Sequence, residues 1–482
     1  MTAQFLIGCG AGFSGDRIDA PIPVVRDLVR RRTPSAIFFE TLGERTLALA
    51  QLRRLEDPDE GHEPLLEELL RPVLADCLDA DIAVIGNFGA ANPAGAARRI
   101  AGLCAAAGFP DAPIGVVEGD EVTALARAGS LAPASLDSAL QNRPLICANA
   151  YLGAEPLIAA LAQGARILVT GRVADPSLAV APLAHHFAWD PADCGRMATA
   201  TLAGHLLECG AQITGGYFAD PGWKDVPDLH RAGFPIAEIT AEGGLTIGKP
   251  ADTGGLVSEA TVKEQLLYEI HDPSSYLTPD VTLDMTGVTL RAEGPDRVAV
   301  FGARGRARPE RLKVTVSVDG GYLGEGEISY AGPNAVGRAR LALDVLARRV
   351  PQHLRLRSDI IGYRSVFADE GSAAEGGSAA EGGSAAEGGS VVAEGGAYSG
   401  FPAGEDVRAR IAVESDSAQD AEAAVREVVA LLCCGPAGGG GARTQVRRRV
   451  HTWSATAPRA DVEAGVRVRV APAWRWREAS HD

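Results

Sequence analysis

The sequence predicts an α/β protein, with a Rossmann-like parallel-sheet domain over residues 1–235 followed by a mixed α+β domain over 236–470. Three observations carry that prediction. Up to about residue 235, short apolar runs alternate with longer amphipathic stretches, the rhythm of parallel strands wrapped by crossover helices. Beyond it the segments turn β-rich. The first apolar run, Phe5-Leu6-Ile7, passes straight into Gly8-Cys9-Gly10-Ala11-Gly12-Phe13-Ser14-Gly15-Asp16-Arg17, a strand ending in a glycine loop.

The units follow in order. Ser35–Phe39 reads as a strand before a helix near Leu42–Leu55, and Ile82–Ile85 as a strand before Asn87-Phe88-Gly89-Ala90-Ala91-Asn92-Pro93 and a helix ending before Gly108. Ile114–Val117 is a further strand. Leu145–Ala148 leads through Asn149 and Tyr151 to a helix near Glu155, and Ile167–Val169 leads through Thr170-Gly171-Arg172-Val173-Ala174-Asp175 to a helix at Pro176. Asp175 followed by Pro176 fits an N-cap and first-turn pair. In the second half, Val281–Leu283, Val298–Phe301 and Leu312–Val318 read as strands, with a glycine hairpin at Gly320-Gly321. Helices near Asn334–Val350 and Ser417–Cys433, alternating with strands Val407–Val413 and Thr444–His451, predict a split βαβ arrangement on an antiparallel sheet. Residues 371–388 repeat Gly-Ser-Ala-Ala-Glu-Gly three times. So polar a stretch buries too little apolar surface to offset its ordering entropy, so 370–398 reads as a flexible insertion.

Ligands in such sheets bind beyond the carboxyl ends of the strands, where these loops gather. Gly10 to Gly15 spells G-x-G-x-x-G, and glycines let backbone N–H groups approach a phosphate or carboxylate. A dinucleotide fingerprint also wants a helix directly after the loop and an acid roughly 20 positions on. Pro21 and Pro23 argue against a helix running straight out of the loop, and Glu40 comes late. An anion-binding or catalytic loop is the first reading of Gly10, Gly12 and Gly15; NAD binding is the second.

Composition narrows the partners. At 46% hydrophobic and 22% charged residues the chain is globular, and its net charge of −16 disfavours nucleic acid or an anionic membrane surface. Eight cysteines without a C-x-x-C pair point to buried thiols in a reducing cytoplasm. Neither a signal-peptide pattern nor an apolar run of the ~18 residues that span a membrane is evident, which predicts a cytoplasmic protein.

Arg172 and Asp175, at a strand-to-helix turn, suit an anionic group and a proton transfer, although an Asp there also serves simply as a cap. His205 and Glu208 lie three apart on one amphipathic helix and read as a hydrogen-bonded pair; no further ligands at metal spacing accompany them. Ser14 lacks the G-x-S-x-G context of a nucleophile elbow. Lys249 supplies a cation beside the turn at Gly254-Gly255, and Glu325 and Glu327 share a strand face. Gly438, Gly439 and Gly440, just before Arg443, are either a pyrophosphate-lining loop or a connector.

The loops Gly10 to Arg17, Thr170 to Pro176, Thr214 to Pro221 and Gly435 to Gly441 occur together and in order, and with them the chain resembles the AtuA family of acyclic terpene utilisation proteins. The likeness runs from residue 4 to about residue 460. It implies a cytoplasmic enzyme in the breakdown of citronellol-type and geraniol-type acids as coenzyme A thioesters. Some members carry a small ferredoxin-like domain or have it as a separate neighbour, which implies a separate small partner here. The resemblance assigns no catalytic residues.

Residues and resemblance together lead to a lyase or hydratase acting on a branched acyl group, with a coenzyme A thioester as its substrate. Asp16, Glu40 and Asp175 are the candidate proton-transfer groups, and Arg17, Arg172 and Lys249 the groups that neutralise a carboxylate, enolate or phosphate. Asn87 and Asn149 should arrive at the same site. An NAD-dependent oxidoreductase and a non-catalytic subunit of an acyl-CoA enzyme complex are the other readings, and a homo-oligomer is the expected assembly.

Overall fold

A computed structural model describes residues 3–133, 143–363, 365 and 406–478; the insertion expected at 370–398 lies outside them. The chain divides into two compact units, 1–318 with 451–482, and 319–450.

The first unit is built on a ten-stranded mixed sheet. Its strands are Gln4–Ala11 (β1), Ser35–Phe39 (β2), Ala83–Gly86 (β3) and Pro113–Glu118 (β4). Leu145–Ala150 (β5) stands outside this sheet; Ile167–Thr170 (β6), Ile236–Thr240 (β7), Leu245–Gly248 (β8), Thr289–Gly294 (β9) and Arg297–Phe301 (β10) belong to it. After the long strand Arg311–Ala331 (β11) come Arg355–Ile361 (β12), Asp406–Ser415 (β13) and Gly440–Pro458 (β14); Arg467–Pro472 (β15) closes the ten-stranded sheet. Its order is β9-β10-β8-β7-β1-β2-β3-β6-β4-β15. The five strands from β1 to β4 in that order are mutually parallel. They read as continuous apolar runs because helices cover both faces: all five residues of β2 are buried.

Three expectations are corrected here. The parallel order does not reverse beside β1, as it does in a dinucleotide-binding sheet. That place is taken by β7, antiparallel to β1 from Gln4↔Thr240 to Gly8↔Ile236. Residues 236–240 therefore continue the first sheet, although the change from parallel to antiparallel strands reads in sequence as a new domain. Second, β5 does not join the parallel set; it pairs antiparallel with β11, Val314↔Ala150 to Val318↔Leu145. Third, β11 runs unbroken through Gly320-Gly321 with no hairpin. Gly321 takes φ 72° there, and a Cβ would come within 2.5 Å of the Ser415 carbonyl, so the position calls for glycine on both counts.

Helices start where the sequence places caps and prolines. Pro21 opens Pro21–Arg31 (α1), corrected from its expected role as an obstacle, since proline is tolerated in the first turn, where the N–H groups have no partner anyway. After Glu44–Glu56 (α2), Asn92 caps Pro93–Ala106 (α3) by accepting from Gly95 N at 3.0 Å. Ser177–Phe187 (α4) has Pro176 at its cap position and no side-chain cap, so Asp175 is not the cap it resembles. Asp193 caps Cys194–Leu207 (α5), and a reciprocal Ser258–Thr261 pair opens Glu259–Leu267 (α6).

In the second unit the order β12-β13-β11-β14, with Ala335–Arg349 (α7) after β11 and Ala418–Cys434 (α8) after β13, is the β-α-β-β-α-β ferredoxin-like arrangement. Strand β13 is antiparallel to both β11 and β12. Glu325 and Glu327 share a face there and are tied across the strands to Arg410 and Arg408. They hold the sheet together.

Candidate functional site

The carboxyl ends of the parallel strands in the first unit converge on a buried cluster of ionisable side chains. Glu40 follows β2 directly and is 7% exposed. Its Oε1 accepts from Leu42 N at 2.7 Å and from Asn87 Nδ2 at 2.9 Å. Asn87, one residue past β3, turns its own Oδ1 to Thr41 N at 2.7 Å. Asn87 thus clamps the turn that carries Glu40. Burial, reinforced by the negative charge of Asp175, pushes the Glu40 carboxyl up to about 8.

Arg172, two residues past β6, is fully buried. Its backbone N–H donates to Asp120 Oδ2 at 2.9 Å, and Asn149 Nδ2 donates to the same oxygen at 2.8 Å. Asn149 therefore positions Arg172 through Asp120, whose carboxyl burial pushes up to about 6. The guanidinium lies 4.0 Å over the Tyr151 ring and places Nη2 3.0 Å from Asp175 Oδ1. Its Nε and Nη1 are buried without a hydrogen-bond partner. Burial raises the Asp175 carboxyl against the pull of Arg172.

Glu44 lies behind Tyr151, whose hydroxyl donates to it, and Lys313 Nζ stands 3.2 Å away. Burial would raise its carboxyl, but the Tyr151 hydrogen bond and the charges of Arg172 and Lys313 hold it near 2. On another side, His205 Nδ1 lies 3.0 Å from Glu208 Oε1, and Nε2 lies 3.2 Å from the Leu266 carbonyl. A carbonyl only accepts, so Nε2 carries a proton and the pair shares another across Nδ1 and Oε1. Burial raises Glu208 to about 7 against the opposing pull of His205, and the charge of Asp175 adds to the rise.

Of the sequence candidates, Glu40, Asp175 and Arg172 meet in this cluster, with Asn87 and Asn149 supporting it. The others have different work. Asp16 Oδ2 accepts from Gly12 N and Oδ1 from Arg17 N, both at 2.8 Å, so Asp16 closes the glycine loop on itself. Arg17 binds Asp19 and the Ala232 carbonyl. Lys249 is spent on the Thr253 carbonyl at 3.0 Å and on Asp296 at 3.1 Å. A Cβ at Gly10 would run into the Phe39 ring at 2.5 Å, and one at Gly12 into the Cys209–Gly210 backbone at 2.5 Å. These glycines make room for the residue before Glu40 and the residues after Glu208, and Gly15 takes φ 95° in the turn. Gly438, Gly439 and Gly440 belong to the other unit, where they lead into β14 beside Ile328, Tyr330 and Arg338.

Sequence reasoning passed over Glu44 and Asp120 as site residues, and Tyr276, whose ring lies 5.5 Å from that of His205. Asp120 had a usable signal, lying two residues beyond β4. Tyr276 had none, because it arrives from a two-residue strand, Tyr276–Leu277, remote in sequence from the parallel set. Among the described residues there is no group of three or more His, Cys, Asp or Glu arranged for a metal, and no helix long and apolar enough to cross a membrane.

The arrangement sets a carboxyl pushed up to about 8 beside a second carboxyl and a buried guanidinium, groups able to give and take a proton and to balance a negative charge. Compared with known proteins, residues 5–468 match the model of the acyclic terpene utilisation family protein AtuA. No curated protein and no solved structure matches the chain.

Proposed function

Because the chain belongs to the acyclic terpene utilisation (AtuA) family, we propose that it is a lyase or hydratase of branched acyl groups, carried as coenzyme A-type thioesters, working by carboxylate acid–base catalysis. The observation behind this reading is Glu40, protonated up to about pH 8 beside Asp175 and Arg172. In the dehydrating direction Asp175 takes the proton from the carbon next to the acyl carbonyl, and the electron pair moves toward the carbonyl oxygen. The double bond then forms as the carbon–oxygen bond breaks, and Glu40 gives its proton to the departing hydroxide, releasing water. Exchange with solvent returns a proton to Glu40 and removes the one on Asp175. Arg172 balances the charge that builds on the acyl oxygen.

The test is solvent-deuterium incorporation and water transfer, followed by mass spectrometry, on branched 2-enoyl and 3-hydroxyacyl thioesters. The wild-type protein should exchange deuterium into the acyl chain and transfer water; Asp175→Asn should lose the deuterium exchange and Glu40→Gln the water transfer. A wild-type protein that neither exchanges nor transfers water, or variants that match it, would sink the assignment.

A further inference from the structure

We propose that Tyr276 is the second hydrogen-bond donor, beside Arg172, to the oxygen that gains negative charge during the reaction. This rests on the acid–base reading above. Tyr276 is held by the strand pairing Tyr276↔Leu283, with its half-buried ring 5.5 Å from that of His205. His205 is itself fixed at both ring nitrogens, by Glu208 and by the Leu266 carbonyl, so it gives the Tyr276 ring a rigid neighbour.

The Tyr276 hydroxyl makes no hydrogen bond to any described residue. A tyrosine in a protein interior normally finds one. Tyr151, by contrast, has spent its hydroxyl on Glu44. Burial, then the charges of Glu208 and Asp175, push the Tyr276 phenol well above its ordinary value, while Arg172 pulls the other way. The phenol therefore remains a neutral O–H donor throughout the physiological range. Arg172, whose charge acts on the Tyr276 phenol, keeps two donors without a partner, Nε and Nη1. A carbonyl oxygen of the acyl group, neutral at rest and negative in the transition state, accepts from both residues.

The probe is acetoacetyl-N-acetylcysteamine, a thioester whose enolate mimics that charge and has its own near-ultraviolet band. Full-length wild-type protein should bind it as the enolate at neutral pH. Tyr276→Phe should lose the band and bind the enolate about 10- to 1,000-fold more weakly, the usual effect of removing one such donor. Its thermal midpoint should hold, because the hydroxyl has no partner to lose. Absence of the band in the wild-type protein, or an equal band in Tyr276→Phe, overturns the role of Tyr276. Glu40→Gln separates the two readings. It should keep the enolate band while losing water transfer. An intact band in Tyr276→Phe together with lost water transfer in Glu40→Gln rejects Tyr276 alone; a Tyr276-dependent band with full water transfer in Glu40→Gln rejects the acid–base reading instead.

Discussion

Glu40→Gln should stabilise the protein at neutral and alkaline pH while abolishing its chemistry. The carboxyl titrates near 4.5 when exposed and at about 8 in the folded chain. Between those values the unfolded chain has released the proton and the folded chain still holds it, so stability falls as pH rises, by about 1.4 kcal/mol per pH unit. The accumulated loss is roughly 3 kcal/mol at pH 7 and roughly 5 kcal/mol above pH 8. Below the unfolded value both states hold the proton and the loss vanishes. Glutamine keeps an Oε1 that accepts from Leu42 N and Asn87 Nδ2, so the clamp on the turn survives while the ionisation is gone. Denaturant titrations at about pH 4.5, 7 and 8.5 measure the effect. The variant should match the wild type at the lowest pH and exceed it by roughly 3 kcal/mol at pH 7, with a wider gap at the highest. A gap that does not change with pH, or a variant less stable than wild type at pH 8.5, would refute the claim that this carboxyl is kept protonated by burial.

Gly12→Ala drives a Cβ into the backbone of Cys209 and Gly210, which has no flexible side chain to yield, so a loss of about 1–3 kcal/mol should appear in the same titrations. Lys249→Met strands Asp296 and the Thr253 carbonyl; it should lower stability by about 1–3 kcal/mol yet leave the turnover of the folded protein unchanged, measured as deuterium exchange per folded molecule. In the second unit, Arg410→Met removes the Nη1 that lies 3.0 Å from the buried Asp359 and should lower the denaturation midpoint.

Part of this site is legible in one dimension. Glu40, Asn87, Arg172 and Asp175 each stand beyond a short apolar run that reads as a buried strand, and ligand groups in parallel sheets collect there. The glycine loop misleads for an instructive reason. Gly10 and Gly12 are small because Phe39 and the Cys209–Gly210 backbone press against them, a tertiary fact that leaves the same sequence signature as a phosphate-binding turn. Asp16 and Lys249 mislead in the same way, since charges inside turns are often consumed by the backbone around them. The family resemblance, by contrast, is fully contained in the order of the loops, and the match over residues 5–468 agrees with it.

By itself the sequence determined the α/β class, the strands of the first 235 residues and the helices that follow most of them to within a few positions, though not Pro21–Arg31, Leu66–Leu70 or Leu74–Asp79, and the split βαβ pattern of the second unit, because apolar periodicity and caps act over one or two turns of chain. Only the tertiary structure decided which strands share a sheet. It put β7 beside β1 and took β5 out of the parallel set, since hydrogen-bond pairing between distant strands leaves no mark on either one's local pattern. It also decided which charges matter. Burial and the mutual fields of Glu40, Asp175, Arg172 and Glu208 arise only when three remote segments meet, and that meeting holds one carboxyl protonated near neutrality and leaves another group paired and inert.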